Sequence, residues 1–450
     1  MKKTLKIFSI ITILLLIVFI TTSCKNNDNP NPKPGGGDEE NQHIDYVSKL
    51  KLDMSSATAK EKVTVRNYVD GDTTHFNIST SVIKEGILKA RYLATNTPES
   101  TGKIEPYGKT ASNFTKSKLM NASSIIVESN TSTWNKDSTS SGRYLVWVWY
   151  RNSETEEYRN LNLEILQSGL AVASNTLGNI YGETCMAALN QAKREKLYIF
   201  SGEKDPNMYY GSAVELTLKE LRCNIDKYNG IKVAFEGVVV KDSLNTVYVE
   251  EYDPENDIYY GMQVYYGYGL PGEGLDILSV GNRVRIVGSV QYYETGGTYQ
   301  VSDLQYRMMK PDDPNNIQKI SDGNSAAYQE ISAKQFTEGK VRISIDDDQD
   351  KEFDLAYLIM NSSVSMKSLK VKSIYTTTNE GSSSNGAMTL TCEVDGITIS
   401  VRTLVLTDEK GNKITASAYE GKTISVKGLV DYYDGKYQIK VFSANDIEIM

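Results

Sequence analysis

One hairpin sequence occurs twice in the last 170 residues, and it narrows what they can build. Gly281-Asn-Arg-Val-Arg-Ile-Val-Gly-Ser-Val-Gln-Tyr-Tyr293 with Gly297-Thr-Tyr-Gln-Val301 returns as Gly421-Lys-Thr-Ile-Ser-Val-Lys-Gly-Leu-Val-Asp-Tyr-Tyr433 with Gly435-Lys-Tyr-Gln-Ile439. In both copies apolar and polar residues alternate on either side of a glycine-containing turn, the pattern of a half-buried antiparallel ribbon. A lone two-stranded ribbon buries too little surface to be stable, so each copy needs more strands. Strand-like runs at 231–240 and 246–250 precede the first copy, and runs at 368–375 and 388–394 precede the second. Two related β modules are expected, each a small barrel with little helix, joined through residues 311–340.

A length of 450 residues calls for two to four domains, and 40% apolar with 24% charged residues excludes both a disordered chain and a polytopic membrane protein. Histidine and cysteine are scarce. Only His43, His75, Cys24, Cys185, Cys223 and Cys392 occur, which excludes a histidine-triad hydrolase, a histidine-rich metal centre, a zinc ribbon and a disulfide-dense scaffold. Cys185, beside Met-Ala-Ala-Leu, reads as a small buried hydrophobe, while a Cys223–Cys392 disulfide stays open. Both histidines read as surface residues.

Residues 1–6 carry three lysines, and residues 7–20 are apolar except for Ser9 and Thr12. That is the pattern of a secretory signal, too short for a membrane span of about 20 residues. It ends in Thr21-Thr22-Ser23-Cys24, which resembles a lipobox although a leucine is more usual at Thr21; an ordinary cleavable signal is the alternative. Acylation of Cys24 would make the chain a lipoprotein, anchored in the cell membrane with its folded part on the extracellular face. Residues 25–45, rich in Pro, Gly and charge, read as a disordered tether.

Charge is uneven. Residues 46–204 balance at +4 and residues 205–450 at −12, so a polyanion is drawn to the first block and repelled by the second. The first block also carries the chemistry. Strand-like 63–69 meets Asp70-Gly71-Asp72-Thr73 and resumes at 74–78, a hairpin signal. A strand at 87–94 stops at Thr95-Asn96-Thr97-Pro98-Glu99. Helical spacing follows at 109–120, strands at 124–128 and 144–150, and helices at 161–168 and 182–195: a small barrel with helices packed on it. Taken singly, Asp-Gly is a turn, Thr-Pro-Glu a strand exit, and Arg91 and Arg143 surface cations.

Together these residues resemble the staphylococcal (thermonuclease-like) nucleases. The resemblance lies in Asp70-Gly-Asp-Thr73, Arg91-Tyr-Leu-Ala-Thr-Asn-Thr-Pro-Glu99, Tyr107-Gly108, Ala111-Ser112, Phe114-Thr115, Gly142-Arg143, Gly169-Leu-Ala171 and Ala192-Lys-Arg-Glu-Lys-Leu197, in that order. It implies a metal-dependent endonuclease that hydrolyses phosphodiester bonds of DNA, with RNA as a second candidate substrate. Asp72, Asn96 and the carbonyl of Thr97 would surround the metal. Arg91 and Arg143 would hold the phosphate, and Glu99 would act as base or position water. An all-oxygen ligand set favours Ca²⁺, with Mg²⁺ or Mn²⁺ as alternatives. Arginine suits phosphate because its planar fork donates two parallel hydrogen bonds and keeps its charge.

Two departures stand out. Many members have aspartate at Asn96, so one negative charge at metal-contact distance is missing and affinity should fall. The tyrosines usually found at Ser141 and near Asn175 are missing as well. The rival reading is a catalytically weak or inactive surface-binding lipoprotein, an adhesin or nucleic-acid-binding protein.

In the acidic tail, alternating strands with glycine-rich hairpins resemble OB-fold proteins. OB-folds bind single strands by stacking bases on aromatics, and Tyr259, Tyr260, Tyr265, Tyr266 and Tyr268 are candidates for such a platform. The −12 balance opposes a groove that tracks phosphates, so contacts with protein or glycan are favoured over nucleic acid. The expected fold is mainly β: a signal segment at 1–24, a tether at 25–45, a staphylococcal-nuclease-like OB barrel with packed helices at 46–204, and OB-like modules at 205–320 and 321–450.

Overall fold

The computed structural model describes residues 43–450 except 102, 139–141, 295, 347–348 and 380–381. Cys24, the signal-like segment, most of the tether and Ser141 lie outside the described residues. Three five-stranded rings follow one another, each closed by the same pairing order.

In the first ring β1 (Lys60–Tyr68), β2 (Thr73–Asn77) and β3 (Ile87–Tyr92) form an antiparallel meander. Strand β5 (Arg143–Arg151) runs parallel to β3 and antiparallel to β4 (Ser124–Glu128), which returns to β1 and closes the barrel. Helix α1 (Gly108–Met120) joins β3 to β4; α2 (Leu161–Gln167) and α3 (Gly182–Arg194) follow β5. Strand β4 is buried along its whole length rather than alternately, with the Tyr158 hydroxyl against Ser124 Oγ at 2.7 Å and Tyr181 O–H donating to the Glu128 carboxylate at 3.1 Å. Trp147 and Trp149 on β5 are fully buried, and Trp149 Nε1 donates to the buried Glu128 carboxylate at 2.8 Å. Fully buried Asn162 on α2 donates to the carbonyls of Leu93 and Val146 and accepts from Val148 N–H, all within 3.0 Å. That one amide pins the exit of β3 to β5, directly behind Arg91.

The second ring contains β6 (Lys232–Ser243), β7 (Thr246–Asp253), β8 (Ile258–Tyr265), β9 (Arg283–Tyr293) and β10 (Thr298–Ser302); β8 and β10 are parallel, the other pairs antiparallel. The third repeats this with β11 (Ser363–Thr376), β12 (Met388–Val394), β13 (Ile397–Thr403), β14 (Thr423–Tyr433) and β15 (Lys436–Val441). The duplicated hairpin is thus β9–β10 and β14–β15. Its shared glycine has a packing reason. A Cβ on Gly288 would meet Ser302 O at 2.5 Å, and one on Gly428 would meet Lys440 O at 2.5 Å, so no side chain fits where the fifth strand crosses.

The two accessory barrels share one hydrophobic core, separate from that of the first ring. At their junction the buried Glu250 carboxylate accepts from Ser363 N–H at 2.7 Å, Ser363 O–H at 3.0 Å and Ala327 N–H at 3.0 Å. A Cβ on Gly261 would lie 2.2 Å from Ser362 N, which is how close the second barrel's entry strand comes to β8.

The 311–340 connection carries structure of its own: Gln318–Ser321 pairs with β9, Gln329–Glu330 pairs with β11, and a short helix runs Ala333–Glu338 behind a Ser332/Gln335 capping box. Several sequence expectations need correction. The tyrosine platform divides because strand neighbours face opposite ways: Tyr260 is 1% exposed in the core, whereas Tyr259 packs tilted against Tyr252, ring centroids 4.9 Å apart, and Tyr268 is 92% exposed. Cys223 and Cys392 are both free and buried, as is Cys185, so no disulfide joins the modules. His75 is half-buried on β2, not a surface residue. No helix among the described residues is long and apolar enough to cross a membrane.

Candidate functional site

The β1–β2 turn is built by Asp70, whose carboxylate accepts from Asp72 N–H at 3.0 Å, an Asx turn that leaves Asp72 pointing inward. Gly71 allows the turn to dock. A Cβ there would lie 2.8 Å from the Thr97 side chain and 2.9 Å from Ala111, and Thr115 O–H donates to Gly71 O at 2.6 Å. The turn is therefore clamped between α1 and the strand that leaves β3.

Asp72 is 1% exposed. Its Oδ2 accepts from Thr97 N–H at 2.8 Å and its Oδ1 from Thr73 O–H at 3.1 Å. Arg91 sits opposite Thr73 in the β2–β3 register; it forms an ion pair with Asp72 and donates to Asn96 Oδ1 at 2.5 Å. Asp72, Arg91, Asn96 and Thr97, spread over 26 positions of sequence, thus form one hydrogen-bonded cluster. Asn96 is delivered by a reversal at Ala94, which has φ 63°, and by pairing of Ala94–Asn96 with Val172–Ser174.

Arg143 opens β5 and pairs in register with Lys89, two residues from Arg91 on the neighbouring strand. Its Nη2 donates to Asp137 Oδ2 at 2.7 Å, and Asp137 N–H donates back to Arg143 O at 2.9 Å. Arg143 Nε is buried without a hydrogen-bond partner among the described residues. Both arginines are therefore held by carboxylates on the barrel rim, one by Asp72 and the other by Asp137.

Glu99 is exposed at the barrel rim, and among the described residues no hydrogen bond or ion pair engages its carboxylate. Its backbone is fixed instead: Glu99 N–H donates to Glu105 Oε2 at 3.1 Å, and Glu105 N–H donates to Glu99 O at 2.9 Å. A Cβ on Gly108 would fall 2.1 Å from Glu99 O, so only glycine lets α1 start there. Burial pushes the Glu99 carboxyl above the usual glutamate range; Asp70 and Glu105 push the same way, and Arg91 and Arg143 oppose them. Burial also raises the Asp70 carboxyl, against the pull of Arg91 and Arg143. Glu99, Asp70, Arg91 and Arg143 thus share one electrostatic neighbourhood.

Among the described residues no three His, Cys, Asp or Glu side chains cluster as metal ligands. The donor set that does converge is a carboxylate oxygen and an amide oxygen, Asp72 Oδ1 and Asn96 Oδ1, turned toward one guanidinium. Two hard oxygens already facing a cation fit a hard divalent ion held weakly. Sequence reasoning missed Asp70, Asp137 and Glu105 as members of this neighbourhood. Asp70 stood inside the quoted Asp-Gly-Asp-Thr run; nothing in the sequence marks Asp137 or Glu105, whose parts arise from hairpin and loop closure.

Residues 89–201, 113 of the 450, match the family described as staphylococcal nuclease homologue. The match includes Arg91, Asn96, Thr97, Glu99 and Arg143 and begins after Asp72. No curated protein matches the chain. The first barrel is nuclease-like in fold, and the family that its residues 89–201 match is generally one of nucleases.

Proposed function

We propose that the chain is a nuclease that hydrolyses phosphodiester bonds of DNA, with RNA as a second substrate, using a divalent cation, Ca²⁺ first. The reading rests chiefly on the convergence of Asp72, Arg91, Asn96 and Thr97 at the barrel rim, with Arg143 and Glu99 beside them. Asp72, Asn96 and the Thr97 carbonyl would hold the ion, which when bound supplies a positive charge against the phosphoryl oxygens. Arg91 and Arg143 orient the phosphate and neutralise the charge that builds on it, their forks exchanging Asn96 and Asp137 for phosphate oxygens. Glu99, with its raised pKa and unengaged carboxylate, takes the proton from attacking water. The +4 balance of residues 46–204 favours approach of a polyanion.

The test is plasmid nicking by the full chain in Ca²⁺, Mg²⁺ and Mn²⁺. Loss of nicking in Glu99→Ala and Arg143→Ala is expected. Nicking that survives both, or none in any of the three ions, favours the rival reading of an inactive binding lipoprotein, whose specific support is Asn96. Asn96→Asp should tighten Ca²⁺ binding measured by calorimetry; unchanged affinity removes Asn96 from the metal site.

The same proposal places the protein on the extracellular face of the cell membrane through lipid on Cys24. Labelled palmitate should enter the wild-type chain and not Cys24→Ala. The accessory barrels would then contact protein or glycan rather than nucleic acid. That assignment rests on the −12 balance of residues 205–450 and on a cleft of about 380 Å³ between the two barrels, lined by Tyr248, Tyr265, Tyr268, Tyr293, Tyr432 and Tyr433 among others.

A further inference from the structure

The loop that follows Glu99 has a second support, and it comes from the first accessory barrel. Gln291, on β9, donates from Nε2 to Ser100 O at 3.2 Å, and its Oε1 accepts from Ser302 O–H at 2.5 Å, so the amide is held in one orientation. Asp303, just past β10, accepts from Ile104 N–H at 3.4 Å and from Ser289 O–H at 3.5 Å. Glu294, just past β9, pairs with Lys116 on α1 at 2.5 Å. The two backbone contacts fall on Ser100 and Ile104, the shoulders of the loop that Glu99 and Glu105 close.

The duplicated hairpin provides an internal control. Val290 pairs with Val301 in the first copy and Val430 with Ile439 in the second, which fixes the correspondence residue by residue. Gln291 corresponds to Asp431, whose carboxylate accepts from Gln438 Nε2 at 2.6 Å within its own hairpin. Asp303 corresponds to Val441, which is fully buried. The copies share the residues that build the barrel, including Gly288/Gly428, Tyr292/Tyr432 and Tyr299/Tyr437, and differ at the two that reach the Glu99 loop.

We propose that Gln291 and Asp303 are positioning residues for Glu99, which makes the first accessory barrel part of the hydrolytic site. The proposal rests on the nuclease reading above. A carboxylate that must meet a water and a phosphorus within tenths of an ångström gains from a loop held at both shoulders, because misplacement lowers the rate without weakening substrate binding to the same degree. A loop held only by its own closure opens more often.

The experiment compares the full-length wild type with Gln291→Ala/Asp303→Gly, glycine being chosen because Asp303 has φ 61°. Two controls accompany it. Asp303→Asn keeps the acceptor and tolerates that backbone, and Asp431→Ala alters the matching position in the second copy. Amide hydrogen exchange of peptides covering 99–105 is read beside kcat and KM for plasmid cleavage and a thermal melt. In the double variant exchange in 99–105 should quicken about tenfold and kcat fall about fivefold, with KM within about twofold and the melt unchanged. Asp303→Asn and Asp431→Ala should behave as wild type. Exchange in 99–105 that is the same in double variant and wild type overturns the proposal. Faster exchange with unchanged kcat overturns the positioning role. A wild type without hydrolytic activity sinks the nuclease reading alone, since exchange still decides whether the accessory barrel holds the loop.

Discussion

In the nuclease-like ring the third strand ends at Tyr92, and the chain turns through Ala94 to lay Asn96 and Thr97 against Asp72. In the first accessory ring the third strand ends at Tyr265 and runs on through Tyr266 and Tyr268 without meeting a buried carboxylate. The rings close through the same order of strands, with the third and fifth parallel in each. The closed ring therefore carries no chemistry of its own. Chemistry enters where the third strand leaves the first barrel, because the reversal at Ala94 and the pairing of Ala94–Asn96 with Val172–Ser174 bring Asn96 and Thr97 over the rim.

The largest expected difference between the rings concerns this exit. Glu99→Ala should lower plasmid cleavage by about 10²-fold or more, whereas Tyr268→Ala, after the matching strand of the accessory ring, should leave the rate unchanged. A comparable loss from both would place the active surface elsewhere.

Next in size is the seam joining the accessory barrels. Removing the Glu250 carboxylate leaves the buried Ser363 N–H without its acceptor, so Glu250→Ala should destabilise the accessory pair by about 1–3 kcal/mol in urea unfolding. The nuclease barrel has its own core, and cleavage at 25 °C should persist. Complete loss of activity in step with the accessory barrels, beyond the about fivefold fall expected when Gln291 and Asp303 let go of the Glu99 loop, would show the cores to be coupled.

The duplicated glycines should respond alike. Gly288→Ala and Gly428→Ala each push a methyl into a fifth-strand carbonyl and should cost about 1–3 kcal/mol, equal within about 1 kcal/mol. A twofold asymmetry would mean that one copy relaxes where the other cannot.

The smallest effect is a shift in pH dependence. As a base, Glu99 must be ionised, so kcat should rise with pH through a limb above the ordinary glutamate value, since burial disfavours its charge. Glu105→Gln removes a neighbouring negative charge and should move the limb to lower pH, by less than about one unit. Arg143→Ala removes a neighbouring positive charge and should move whatever activity survives the other way. A limb that ignores both substitutions titrates another group.

How far the sequence led depended on the range of the interactions involved. Barrel strands were legible because alternation is local, and the repeat doubled the signal in the acidic tail. Helices α1, α2 and α3 were legible within two residues at their ends. Asp72, Asn96, Thr97, Glu99, Arg91 and Arg143 could be singled out only because they resemble a family pattern, as no spacing rule links positions 72 and 143. Asp137 and Glu105 carried no signal, since each acts through a contact that exists only once the hairpin or loop has closed. Tyr260 misled, and the Cys223–Cys392 pairing had to stay open, because composition does not say which face of a strand or which barrel a side chain joins.

What the amino-acid order decided by itself was the periodic part: which segments pair as strands, where glycine must stand, and how charge divides between the first block and the tail. Those follow from steric limits and from burial of alternate side chains over a few neighbouring residues. Tertiary structure alone decided that Arg91 faces Asp72 and Asn96, that Glu99 finds no partner for its carboxylate among the described residues, and that one copy of a duplicated hairpin, rather than the other, reaches the Glu99 loop. Those depend on where ring closure and the packing of separate barrels bring distant side chains, and distances across a closed barrel are not written into any local stretch of chain.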